Sequence, residues 1–174
     1  MNTMSDANAA THSADRLQFD AWPPALLDWF DGRALLARTG FAASLVTCHE
    51  DGRFGTSLLG IGELYASGPR SLRFALWAQA RAARALAAGG RAALTFVFDG
   101  AFFQVQLDAM PIESTGAQGV GLACFEAVVA SGEAQRVPYA QLDAGITFTL
   151  DERDREMTLE RWNQQIEWLK AVGR

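Results

Sequence analysis

Apolar positions along the chain change period several times, and each change marks an element. After Trp22-Pro23-Pro24, residues Leu26, Leu27, Phe30, Ala34 and Leu35 recur at helical steps, as on one face of a helix. Pro24 suits the first turn, where its fixed φ and missing N–H do no harm, although Gly32 weakens the pattern. Between Phe41 and Leu64 two apolar runs flank Glu50-Asp51-Gly52-Arg53, which predicts a hairpin with glycine in its turn. Residues 71–77, SLRFALW, follow Ser67-Gly68-Pro69 and read as a third strand. The alanine-rich stretch after Trp77 predicts a helix that stops at Gly89-Gly90, where a left-handed cap is accessible. Thr95 and Val97 alternate with Phe103, Val105 and Leu107 around Asp99-Gly100, a strong two-residue hairpin signal. Residues 121–131 fit helix or strand equally, and 145–150, GITFTL, read as a strand. Leu159, Trp162, Ile166 and Leu169 step by three and four, predicting an amphipathic C-terminal helix.

Six or seven short strands, mostly joined by tight turns, with one helix inserted after the third, suit a closed or nearly closed antiparallel barrel. Closure hides the strand edges. Several strands, among them SLLGI (57–61), SLRFAL (71–76) and LTFVF (94–98), are apolar on more than one face. A second apolar face calls for a second partner.

Composition narrows the class. At 174 residues the chain suits one domain, expected over 17–174. The polar, small-residue segment 1–16 has no apolar core of a signal or transit peptide and is expected to be a disordered arm. Twenty acidic residues against 15 Lys plus Arg give a net charge of −5, which offers nucleic acid and anionic lipid no attraction. No apolar run approaches bilayer length. Cys48 and Cys124 each sit in an apolar run; two free, buried thiols are expected, with the cytoplasm as the default location.

Side-chain chemistry is sparse. The two histidines are His12 and His49, and no His/Cys cluster has metal-ligand spacing, so no metal site is expected. His49, beside the first hairpin turn, reads as a solvated turn residue. Ser44, Ser57 and Ser67 lack a nucleophile-elbow context. Lys170 is the only lysine, so there is no P-loop. Gly60-Ile61-Gly62 resembles half a dinucleotide fingerprint, but no helix is expected after it. A chain so poor in acids, bases and ligands would draw its chemistry from a bound cofactor. Arg81 points the same way: a cation in the first turn opposes the helix dipole unless an anion binds beside it. Arg84, three residues on, shares its face.

These residues, in this order, resemble the FMN-binding split-barrel family, the pyridoxamine 5′-phosphate oxidase-like proteins. Asp51-Gly52-Arg53-Phe54 stands where the family has a D-G-x-P turn, and Thr56-Ser57-Leu58-Leu59 where it has the strand along the flavin edge. Leu76-Trp77 matches the strand end beside the cofactor. Ala80-Arg81-Ala82, with Leu86, matches the phosphate motif, and Gln104 the flavin-contacting glutamine. The similarity spans roughly residues 41–110. It implies a split antiparallel β-barrel with flanking helices and a homodimer with two FMN sites at its interface. The implied cofactor contacts are Thr56, Ser57, Leu58, Leu76, Trp77, Arg81, Arg84 and Gln104. The implied activity is that of a flavin-dependent oxidoreductase whose catalytic residues and substrate the sequence does not assign. Ala80 and Ala82 depart from the family's Ser and Lys, removing a hydroxyl and a cation from the phosphate motif. The oxidase's C-terminal Trp, Arg and His signature is absent, so pyridoxamine-phosphate oxidation itself is not expected. The alternatives are a non-catalytic flavin carrier or sensor, or a barrel without cofactor. A third is a binder of haem or a small apolar ligand, with His49 as the axial candidate.

Overall fold

Asp99 and Gly100 both take positive φ, 48° and 70°, the twist that lets a two-residue turn return a strand on its neighbour. They join β6 (Arg91–Phe98) to β7 (Ala101–Ile112), paired from Phe98 opposite Ala101 to Arg91 opposite Asp108. The first predicted hairpin forms the same way, with β2 (Ala42–Cys48) against β3 (Phe54–Gly60) around Gly52 at φ 78°. The computed structural model describes residues 14–113 and 121–172. The remaining strands are β1 (Asp15–Phe19), β4 (Leu64–Gly68), β5 (Ser71–Trp77) and β8 (Leu122–Arg136). The helices are α1 (Pro24–Trp29), α2 (Arg81–Gly89) and α3 (Arg155–Ala171).

The antiparallel order is β3-β2-β6-β7-β8-β5-β4. Strand β8 is long enough to hold β5 along its first part and β1 along its last, while β7 pairs along its other side through a bulge at Gln106/Leu107. The ends of the path, β3 and β4, are not paired to each other; a short 3-10 turn, Ile61–Glu63, joins them. The sheet is therefore a split barrel, curled but open at that seam.

Inward-facing Leu45, Leu72, Phe74, Leu94, Val105 and Phe125 are buried completely or nearly so. Aromatic side chains close one end: Phe30 meets Trp22, Phe41 and Phe96 edge-on, and Phe96 stacks on Phe103 at 5.2 Å. Helix α2 buries Ala82, Ala83, Ala85 and Leu86 and ends at Gly90 in the left-handed conformation. Helix α3 buries Trp162, Ile166, Trp168 and Leu169 and packs beside the seam, Trp162 lying over Gly62.

Four expectations are corrected and one ambiguity is resolved. The first helix stops at Trp29: Gly32 (φ 74°) and Ala34 (φ 52°) turn the chain, and Leu35 enters a separate 3-10 turn. Strand β1 begins at Asp15, inside the segment expected to be an arm, because β8 extends far enough to pair with it; residues 1–13 lie outside the described residues. Residues 121–131 fall in β8 apart from Gly121, their ambiguity resolved by ladders on both sides. Residues 145–150 are not a strand, since β2 is already paired on both sides; only Phe41 bridges Thr147. Cys48 is exposed, alternation turning it outward while Thr47 points in; Cys124 is buried, and burial pushes its thiol up to about 11. Strand β4, unexpected from the pattern, brings the described strands to eight. Among the described residues no helix is long and apolar enough to cross a membrane.

Candidate functional site

Alternation along β3 turns Gly55, Ser57 and Leu59 to the inner face and Phe54, Thr56 and Leu58 outward. Opposite the inner three stand Thr47, Leu45 and Ala43 of β2, all buried. Because β3 is the edge strand beside the seam, residues of both its faces border two cavities instead of being sealed by a neighbour.

The first cavity, about 350 Å³, opens between β3, the end of β5 and α3. Leu58, Leu59, Leu76, Ala80 and Leu122 form its apolar wall, and Trp77, 66% exposed, one aromatic side. Ser57, Glu63, Arg161, Gln164 and Gln165 supply the polar groups. Glu63 Oε2 accepts a hydrogen bond from the Gly60 N–H at 2.6 Å. Burial pushes this carboxyl above its ordinary 4.5, outweighing the lowering by that N–H and by Arg161.

The second cavity, about 410 Å³, is lined by the β2–β3 turn and by α2. His49, Glu50, Asp51, Arg53 and Gly55 come from one side, Arg81, Arg84 and Ala85 from the other. Arg81 is the first residue of α2, whose N-cap, Ala80, has no capping side chain and whose first turn has no acid. The first N–H groups of such a helix have no partner within it. Arg84 donates to the Gln79 carbonyl at 3.2 Å; Arg81 has no hydrogen bond or ion pair among the described residues. The two cavities adjoin through consecutive residues: Ala80 lines one and Arg81 the other, as do Ser57 and Gly55 two positions apart.

The structure thus gathers Ser57, Leu58, Leu76 and Trp77 at one cavity and Arg81 and Arg84 at its neighbour. Thr56 faces outward, exposed. Gln104 lies apart, on the outer face of β7, in a shallow polar cleft with Gln18, Gln106 and Glu133. His49 is corrected from solvated turn residue to half-buried cavity wall, and it lies at the cationic cavity, not the apolar one. The pattern singled out none of Glu63, Arg161, Gln164 and Gln165. The helical period of α3 marked only its buried stripe, and the seam that brings its polar side to the site is a tertiary feature. Among the described residues no three His, Cys, Asp or Glu side chains gather to hold a metal ion.

Comparison with solved structures bears on this architecture. Over 67% of this chain and 97% of the other, the structure matches a candidate pyridoxamine 5′-phosphate oxidase from Lactobacillus delbrueckii, with TM-score 0.51 and 13% identity. An FMN-binding protein from Syntrophomonas wolfei aligns over 63% of this chain and 86% of its own, with TM-score 0.48 and 11% identity. At such identities the likeness is one of fold: the chain has the split-barrel fold of the pyridoxamine 5′-phosphate oxidase-like proteins. By sequence it is 27% identical over 145 residues, 83% of this chain and 93% of the other, to the uncharacterized protein YclD of Bacillus subtilis. No protein-family model matches the chain.

Proposed function

We propose that the protein binds FMN and acts as a flavin-dependent oxidoreductase, in a homodimer. The observation that carries this reading is the pair of adjoining cavities, one apolar with an aromatic side, the other cationic. A strand rises about 3.3 Å per residue, so Gly55 and Leu59 lie roughly 13 Å apart along β3. That spacing suits an elongated ligand with a flat ring at one end and an anion at the other. The residues fit the cofactor's chemistry. Leu58, Leu59, Leu76 and Leu122 exclude water from the ring site, Trp77 offers a face for it, and Ser57 a hydrogen bond. Arg81 and the unpaired N–H groups of α2 meet the phosphate, with Arg84 beside them.

When bound, FMN would supply two-electron redox chemistry; the chain's own part is to orient, desolvate and hold protons. Glu63 is the carboxyl lining the ring cavity, and its raised pKa lets it keep a proton to higher pH than an exposed glutamate. Gln104 and Thr56 face away from the cavities, so either reaches a flavin only across an interface with a second copy. The exposed Phe54 and Leu58 on the same strand supply apolar surface for such a contact.

The test is a visible spectrum of the full chain after loading with FMN and desalting. A retained flavin band is expected. Arg81→Ala should weaken FMN by about tenfold or more, the loss of a charge-assisted hydrogen bond, and leave riboflavin unchanged. A colourless protein overturns the reading, and equal losses of the two flavins overturn the role of Arg81.

A further inference from the structure

A Cβ built on Gly55 would lie 2.2 Å from His49 Nε2, 2.9 Å from Cε1 and 3.3 Å from Cδ2. The imidazole therefore rests against the β3 backbone in a place that a side chain at position 55 would fill. Two positions after Thr47, His49 continues the inner face of β2, and from this seat it lines the cationic cavity with Arg53, Arg81 and Arg84. Its ring has no hydrogen bond or ion pair among the described residues. On the same face, directly opposite Gly55, Thr47 is 1% exposed and its hydroxyl has no partner among the described residues. Three arginines against Glu50 and Asp51 leave this cavity one positive charge; a protonated His49 makes two. A phosphate monoester carries about −1.5 to −2 at neutral pH.

We propose that His49 is a phosphate-binding residue of this site, its ring N–H joining the Arg81 and Arg84 guanidinium groups as donors. The proposal rests on the flavin reading above. The charged groups around the ring are Glu50, Asp51 and Arg53 from the turn and Arg81 and Arg84 from α2.

Flavin-fluorescence titrations of the full chain with FMN and with riboflavin test it. The wild type should prefer FMN over riboflavin. His49→Ala should lower that preference several-fold, with riboflavin affinity unchanged as the control for folding, and His49→Lys should restore it. An unaltered FMN preference in His49→Ala overturns the proposal alone. Failure of the wild type to bind either flavin overturns the flavin reading and this assignment with it.

Discussion

At Glu63, burial and hydrogen bonding pull in opposite directions, and burial prevails: the carboxyl's pKa lies above 4.5 in the folded chain. The folded state then holds this proton more tightly than the unfolded state. Its contribution to stability is full below about pH 4.5 and falls as pH rises through the folded value. Gln still accepts from the Gly60 N–H but carries no charge to desolvate. Glu63→Gln should therefore gain Tm relative to wild type between pH 4 and pH 7; a difference that is flat or falls with pH would contradict the assignment. Residue-scale features of this kind were legible only in part. Arg81 stood out because a cation in a first turn contradicts the helix dipole. Nothing local marked Glu63 or the seat of His49, since each depends on what packs against it: Trp162 and the seam for one, the bare backbone of Gly55 for the other.

The docking of α3 decides the shape of the ring cavity at the scale of elements. Gly62 allows it: a Cβ there would lie 2.1 Å from Trp162 Cγ and 2.3 Å from its Cβ, too near the helix backbone for a rotamer change to relieve. Gly62→Ala should cost about 1–3 kcal/mol by overpacking, a Tm loss of roughly 3–10 °C for a chain of this size. A variant that melts with the wild type would show that α3 is not seated as described. Arg73 secures the other end of the helix, donating to the Leu169 carbonyl at 3.1 Å and to Glu126 at 3.1 Å. A cation there complements the dipole at the C-terminus of α3. The elements carried by strong local signals, the Asp99-Gly100 hairpin, the alanine helix with its glycine stop, and α3, all formed. GITFTL had the composition of a strand, but β2, beside which it lies, is already paired on both sides.

For the whole molecule, the choice of partner is set by its surface. Phe54, Leu58 and Trp77 are 77%, 55% and 66% exposed, all at or next to the cavities, while Gln104 sits on the outer face. A homodimer that covers the edge strand would remove this apolar surface from water and bring outer-face residues of one copy to the cavities of the other. Light scattering at micromolar concentration should give twice the chain mass. Phe54→Ser, which removes exposed apolar surface without adding charge beside Arg81, should shift that mass to one chain and reduce FMN retention together. A monomeric wild type, or a monomeric variant that keeps FMN fully, would remove the interface from the site.

By itself the sequence determined the parts: turn chemistry placed the hairpins, helix propensity and periodicity placed α2 and α3, and a cation in a first turn marked Arg81 as a candidate anion-binding residue. These are local effects, written within a few residues of where they act. Only the tertiary structure decided that the barrel stays split between β3 and β4, that α3 fills the seam, and that Ser57, Trp77, Arg81 and His49 border adjoining cavities while Gln104 does not. Those outcomes depend on which strand edges remain unpaired and on where glycine lets another element approach, and both are set by contacts between residues far apart in the chain.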